Sequence, residues 1–401
     1  MRSAAMLSPS IALTVATILS ASAQDIARPE PGATEERLVL HVETTTPPPR
    51  SAVPLDAMIG QMIVIGFPGQ NPADEWPKRV ASMIQDGRIG GVVLFSENVV
   101  SPSQLKKLVS SLLPDQALPP FISVDQEGGG VQRLAPIKGF VGLPSAHDIA
   151  KLDQIAAYRL YRRNARQLAD LGINLNFGPV VDLNVNVANP VIGRLGRSYD
   201  RNPERVIAFA RHFIGAHDQV GVLTSAKHFP GHGSASADPH HTPVDISQSW
   251  KESELDPFRD LIGDNFVEMI MVSHLVHPRF SDRDRPASLS RRAIQDVLRG
   301  ELGFRGLVVT DDLDMKAITA RYSVDKAAVL AAAAGADLIV VANNKKPDAE
   351  IAERIRIAIS HAVASGDIPR KAIEDAYDRI LKVKKKLQDR RLYALSNEKA
   401  P

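Results

Sequence analysis

Residues 227 to 241 read KHFPGHGSASADPHH, with four histidines, one lysine and one aspartate among fifteen positions. These side chains support three kinds of chemistry. Imidazoles can ligate a metal, an imidazole beside a carboxylate can move protons, and a polar loop can carry histidines that do neither. His228 and His232 are four apart, but Pro230 and Gly231 between them remove the helical face on which such a pair grips zinc. Asp238 and His240 flank Pro239, so in an extended loop both side chains point the same way. A carboxylate in that place fixes the tautomer of an imidazole and favours its charged form, as a proton donor near neutral pH requires. The loop alone does not choose among the three.

A second cluster lies in VVTDDLDM, residues 308 to 315. An apolar run delivers Asp311, and Leu313 and Met315 return the chain to the interior. Asp311 could be a nucleophile, a base or a metal ligand. Asp311, Asp312 and Asp314 together invite a divalent cation, yet adjacent positions project in different directions, and Asp312 and Asp314 are expected to cap the following helix.

The elements that must position these residues follow from the hydrophobic pattern. Eight short runs alternate with helix-like segments: 62–67, 90–95, 120–125, 173–182, 221–228, 268–274, 306–311 and 336–341. Helical periodicity marks Leu152 to Leu171 and Asp325 to Ala334. Each run is apolar almost throughout, as strands covered on both faces are. The pattern predicts a (β/α)₈ barrel of the triosephosphate isomerase type over residues 56–390, as one catalytic domain. A doubly wound open sheet is the alternative, but its glycine-rich turn after the first strand is missing. Asp125, Asp182, His228, His274 and Asp311 each end a predicted strand, on the face where barrel enzymes gather their catalytic groups.

These residues carry a resemblance. KHFPGHG followed by DPH, VDQEGGGVQRL (124–134), NPVIGRLGRSY (189–199) and VTDDLDM (309–315) occur in the order found in the bacterial β-N-acetylglucosaminidases of glycoside hydrolase family 3, in the single-domain branch linked to peptidoglycan turnover. The resemblance spans about residues 56 to 390. It implies that Asp311 is the nucleophile and that His240, oriented by Asp238, is the general acid and then the general base. It implies that Asp125, Arg133, Arg197, Lys227 and His228 grip the terminal sugar, with Asp182 and His274 supporting them from behind. No cofactor and no metal is implied. The expected substrate is an amino-sugar glycan or muropeptide-type fragment. Two positions depart from the motif: Gly130 stands where arginine is usual, and Pro239 where serine is usual.

Whole-chain properties bound the rest. The 401 residues are 44% hydrophobic and 23% charged with a net charge of +2, which gives no broad cationic field for nucleic acid or anionic lipid. One basic run, Lys382 to Lys386, lies beside an apolar stripe of Ile373, Tyr377, Ile380, Leu381 and Leu387, and its lysines are expected mostly on the solvated face. At the start, Arg2, the apolar stretch Ile11 to Leu19 and Ala21-Ser22-Ala23 read as a removed export signal over residues 1–23. Residues 24–55 read as a proline-rich tether, and 391–401 as a tail. The absence of cysteine suits an oxidising compartment, so an exported, periplasmic or secreted protein without a membrane anchor is expected. Three other readings remain open. One is a metal-dependent hydrolase using His228, His232 and His240; the others are a non-catalytic sugar-binding barrel and a relaxed-specificity β-glucosidase or phosphorylase of the same family.

Overall fold

The computed structural model describes residues 53–113 and 118–398, with side chains placed through Asp389. The predicted export signal and most of the tether lie outside the described residues.

Eight strand positions follow one another around a closed ring. They are β1 (Ile63–Ile65), β2 (Gly91–Leu94), β3 (Phe121–Val124), β4 (Leu175–Asn176), β5 in two pieces (Leu223–Thr224 and Ala226–Phe229), β6 (Met269–Val272), β7 (Leu307–Thr310) and β8 (Ile339–Val341). One sheet runs β8-β1-β2-β3-β4 into the first piece of β5, and a second runs from the other piece of β5 through β6 to β7. Their pairings are all parallel. A bridge between Val309 and Leu338 joins β7 to the residue before β8 and closes the barrel. The open doubly wound sheet is thereby replaced by a (β/α)₈ barrel. Every residue of these strands is buried, because the ring's inner face meets itself and its outer face meets helices.

The helices between strands start where the sequence provides for it. Pro102 follows the cap Ser101 at the head of Pro102–Ser111, and Ser101 Oγ accepts from Gln104 N. Asp153 accepts from Ala156 N at 2.8 Å to open Gln154–Asp170, and Asn202 with Pro203 opens Pro203–Asp218. Replacing any one cap by alanine should cost ~1 kcal/mol.

Three expectations need correction here. The fourth strand is shorter than the run 173–182: it ends at Asn176, and the chain continues through Gly178-Pro179 to a lone bridge between Val180 and Lys227. Proline has no N–H for a ladder, so regular pairing stops before it. The final helix, Arg370–Glu398, runs through the predicted tail boundary at 390. Lys384, within the basic run, is buried rather than solvated. It falls four residues after Ile380 and three before Leu387, so helical spacing puts it on the apolar stripe itself. Its ammonium donates to Gln61 Oε1 at 2.7 Å and to the Gly90 carbonyl at 2.8 Å, and lies 4.8 Å from the Phe121 ring centre. Those partners sit at the starts of β1, β2 and β3, so Lys384 plugs the end of the barrel opposite the candidate site.

Candidate active site

At the carboxyl ends of the strands the charged residues form a chain of ion pairs. β3 delivers Asp125, and the hairpin that follows (Gln126–Gly128 with Val131–Gln132) brings Arg133 back beside it. Arg133 Nη2 donates to Asp125 Oδ2 at 3.0 Å, and Lys227 Nζ to Asp125 Oδ1 at 2.7 Å. Lys227 also lies 2.6 Å from Glu127 Oε1, and Arg197 grips Glu127 with two bonds of 2.7 and 2.8 Å. Bidentate guanidinium–carboxylate pairing fixes orientation as well as charge. Lys227 and Glu127 are buried, whereas Asp125 and Arg133 reach the mouth with 18% and 28% of their side chains exposed.

Burial alone would raise the carboxyls of Asp125 and Glu127, but the cations win. Lys227 and Arg133 hold Asp125 well below the usual carboxylate range, and Arg197 and Lys227 hold Glu127 below it. Burial would likewise lower Lys227, and the two carboxylates raise it instead. Every member is therefore ionised at neutral pH, with two carboxylates facing three cations.

His228 continues the chain. Its Nδ1 donates to Asp182 Oδ2 at 2.6 Å, and its Nε2 lies 3.3 Å from Arg197 Nη2. Asp182 also accepts from the backbone N–H of His228 at 3.1 Å and of His232 at 2.8 Å. Its carboxyl is lowered because these partners, His228 foremost, outweigh a burial that would raise it. His232 is buried, and burial pushes its imidazole down to about 4, so the ring is neutral.

The loop that follows is anchored at both ends. Gly233 sits against the Leu183 carbonyl, where an added Cβ would come within 1.8 Å of the oxygen. Beyond the loop, Val244–Asp245 pairs with Leu275–Val276, just past the end of β6. Between these anchors Asp238 Oδ1 accepts from His240 Nδ1 at 2.7 Å and from His240 N at 2.8 Å. The backbone is a turn closed on Asp238 rather than the extended segment expected, since the amides of His241 and Thr242 also return to the Asp238 carbonyl. His240 is about half exposed, with Nδ1 occupied and Nε2 left as its working nitrogen.

Asp311 follows β7. Its Oδ1 accepts from Asp312 N at 2.9 Å, and its carboxyl is lowered: burial would raise it, and His274, His228, the Asp312 N–H and His240 together overcome that. The Pro239 carbonyl accepts from Ala317 N at 3.0 Å, which ties the Asp238–His240 loop to the helix Lys316–Thr319 that follows Asp311. Asp312 and Asp314 do not cap that next helix, Lys316–Thr319. Asp312 Oδ1 accepts from Ala342 N and Asp314 N, and Asp314 Oδ2 accepts from Asn343 N, because the end of β8 presents free amides closer at hand. Burial raises Asp312 to about 7.

Thus Asp125, Arg133, Arg197, Lys227 and His228 form one connected network, and Asp238 with His240 forms a second unit near Asp311. The metal reading needs His228, His232 and His240 to converge, and they do not. The His228 ring turns to Asp182, the His232 ring lies 5.8 Å from it with only its backbone N–H on Asp182, and His240 pairs with Asp238. Among the described residues no three His, Asp or Glu side chains are placed to hold a metal ion. Glu127 was not foreseen. Its signal was its place two residues after Asp125 in extended chain, which puts both side chains on one face.

A barrel with a carboxylate and an imidazole at its mouth, beside a network of two carboxylates and three cations, carries the groups that glycoside hydrolysis uses. Comparison with known proteins agrees. Residues 54–383 match the Glycosyl hydrolase family 3 N terminal domain. The chain is 34% identical over 269 residues to a β-hexosaminidase of Photobacterium profundum, covering 66% of this chain and 78% of that one. It is 37% identical over 263 residues to a β-hexosaminidase of Tolumonas auensis, covering 64% and 76%. Among solved structures it is similar to a family 3 β-N-acetylglucosaminidase from Paenibacillus (TM-score 0.77, 35% identity, 84% of this chain and 63% of that one). It is also similar to a β-N-acetylhexosaminidase from Beutenbergia cavernae (TM-score 0.72, 30% identity, 83% and 98%). The chain belongs to glycosyl hydrolase family 3, in the branch of the β-hexosaminidases.

Proposed function

We propose that this enzyme is a retaining exo-β-N-acetylglucosaminidase acting on terminal β-linked N-acetylglucosamine of peptidoglycan-derived fragments or related glycans. The observation that carries it is the Asp238–His240 pair, held at 2.7 Å on a loop whose Pro239 carbonyl is fastened to the helix Lys316–Thr319 that follows Asp311. Asp125, Arg133, Arg197, Lys227 and His228 bind the sugar's hydroxyl and N-acetyl groups through charge-assisted hydrogen bonds. Asp311 attacks the anomeric carbon while His240 gives its Nε2 proton to the departing oxygen. His240 then takes a proton from water, which attacks the glycosyl–Asp311 ester and restores the carboxylate. Two displacements return the original anomeric configuration.

The test is hydrolysis of an aryl N-acetyl-β-glucosaminide beside the plain β-glucoside, each with and without chelator, with the first-formed anomer read by proton NMR. Turnover limited to the N-acetyl substrate, indifferent to chelator and giving the β-anomer, is expected. An α-anomer as first product would end the covalent reading, and chelator-sensitive turnover would return the metal reading. Asp311→Asn should lower kcat at least about a thousandfold; a variant keeping more than about one per cent of turnover removes Asp311 from that role.

We also propose that the enzyme works outside the cytoplasm, on the strength of the sequence at residues 1–23. Among the described residues no helix is long and apolar enough to cross a membrane. Amino-terminal sequencing of the native protein tests the export proposal; retention of residues 1–23 would overturn it.

A further inference from the structure

His274 and Ser288 touch neither the sugar-binding network nor the Asp238–His240 pair, yet both are buried and both are fully engaged. His274 Nε2 lies 2.8 Å from the Asp312 carbonyl oxygen. A carbonyl only accepts, so Nε2 carries a proton. Nδ1 lies 2.7 Å from Ser288 Oγ. Burial lowers this imidazole below its usual range despite the pull of Asp311, so the ring is neutral and Nδ1 is a lone pair. The Ser288 hydroxyl must then be the donor. Ser288 is itself fixed, since its N–H donates to the Ser273 carbonyl at 3.0 Å, one residue before His274.

Residue 312 is thereby held by two of its handles. Its carbonyl is gripped by His274, and its carboxylate by the amides of Ala342 and Asp314 at 2.7 and 2.9 Å. The third handle, its N–H, donates to Asp311 Oδ1 at 2.9 Å. We propose that Ser288, His274 and the backbone of Asp312 form a positioning relay that pins Asp311 Oδ1 and turns Oδ2 toward the anomeric carbon. This rests on the reading of Asp311 as nucleophile. The other groups facing Asp311 are His228, His240 from the loop, and Asp312 beside it.

The relay is tested with 5-fluoro-N-acetyl-β-glucosaminyl fluoride, whose fluoride is expelled as the carboxylate bonds to the anomeric carbon, leaving a slowly hydrolysed ester. Ser288→Ala should slow inactivation about tenfold, the worth of one hydrogen bond, with the inhibitor's binding constant unchanged. Ser288→Thr, which keeps a hydroxyl, should recover the rate. The acid limb of the pH profile should move to higher pH in Ser288→Ala, because a less firmly held N–H stabilises the Asp311 carboxylate less. A second pair covers the case in which Ser288→Ala does not fold. His274→Gln can still donate to the Asp312 carbonyl from near the Nε2 position, whereas His274→Asn cannot, so Gln should retain more activity. Equal losses for Gln and Asn, or an unchanged inactivation rate and acid limb in Ser288→Ala, would overturn the relay. The label separates the two readings: mass found on a peptide without Asp311 defeats the nucleophile, whereas mass on Asp311 with unaltered kinetics defeats only the relay.

Discussion

Lys227 and Lys384 are both buried, 2% and 1% exposed, near opposite ends of the same barrel. Lys227 meets two carboxylates, Asp125 and Glu127, and is raised above the ordinary lysine range although burial pulls it down. Lys384 meets a side-chain amide oxygen, a carbonyl and a ring face, and burial pushes it down to about 7. Desolvation acts on both. Only the residues at the mouth supply opposite charge to meet it, and these pairs are fixed before any substrate arrives. Charged groups held by one another in this way do not have to reorganise to meet a polar ligand, which is the advantage of preorganised charge.

The largest effect should come from breaking that arrangement where it is most buried. Lys227→Met leaves Asp125 and Glu127 facing each other with one cation fewer, and removing one member of a buried pair costs ~3–5 kcal/mol. The melting temperature should fall and turnover of the aryl N-acetyl-β-glucosaminide should be lost, because Asp125 takes up a proton and Glu127 shifts toward Arg197 alone. A variant with wild-type melting temperature and KM would show that the pairs at the mouth do not act as a unit. The pH dependence has a definite sign. Asp125, Glu127 and Asp182 are lowered in the folded state, so their contribution is present above the unfolded carboxylate values and is lost as pH falls through the folded ones. Acid unfolding of the wild type should accordingly be steeper than that of Lys227→Met.

A smaller effect, on activity alone, is expected at the exposed pair. His240 is about half exposed and Asp238 about a quarter, and an exposed ion pair contributes ~1 kcal/mol or less to stability. His240→Ala should leave the melting temperature unchanged and slow a natural disaccharide about a hundredfold or more, the usual worth of general acid–base catalysis. An aryl glycoside with a good leaving group should suffer less, since it needs less protonation. Equal losses on the two substrates would place His240 in binding rather than proton transfer.

The difference between the two ends also explains what could be read in the sequence. Strand order, the polar strand ends and the Asp238–His240 pair were legible because period, proline and local spacing express them within a few residues. Glu127 was harder: its partners Arg197 and Lys227 lie 70 and 100 positions away, and only the closed barrel brings them together. Asp312 and Asp314 looked like caps because a helix start follows them, and the competing amides of Ala342 and Asn343 come from the next strand. Lys384 was misread for a simpler reason. Its charge points to solvent, whereas its spacing from Ile380 and Leu387 puts it on the buried stripe, and the spacing prevails.

The smallest effect returns to Lys384 and concerns stability alone. With a folded value of about 7 and an unfolded value of about 10.4, the unfolded chain holds a proton that the folded one has released between those limits. Stability therefore rises with pH across that window relative to a chain without the lysine, and the contribution is flat below it. In Lys384→Met this rise should vanish, whatever constant offset the lost bonds to Gln61 and Gly90 introduce. Urea unfolding of both proteins at pH 7 and pH 10 measures it. The gap between them should shift by a few kcal/mol at most, since ~1.4 kcal/mol accompanies each pH unit of such a difference. An equal gap at the two pH values would mean that the amide oxygen, the carbonyl and the Phe121 face keep Lys384 charged throughout. The bottom of the barrel would then hold its cation without a carboxylate, and the contrast with Lys227 would lie in the partners alone, not in the protonation state.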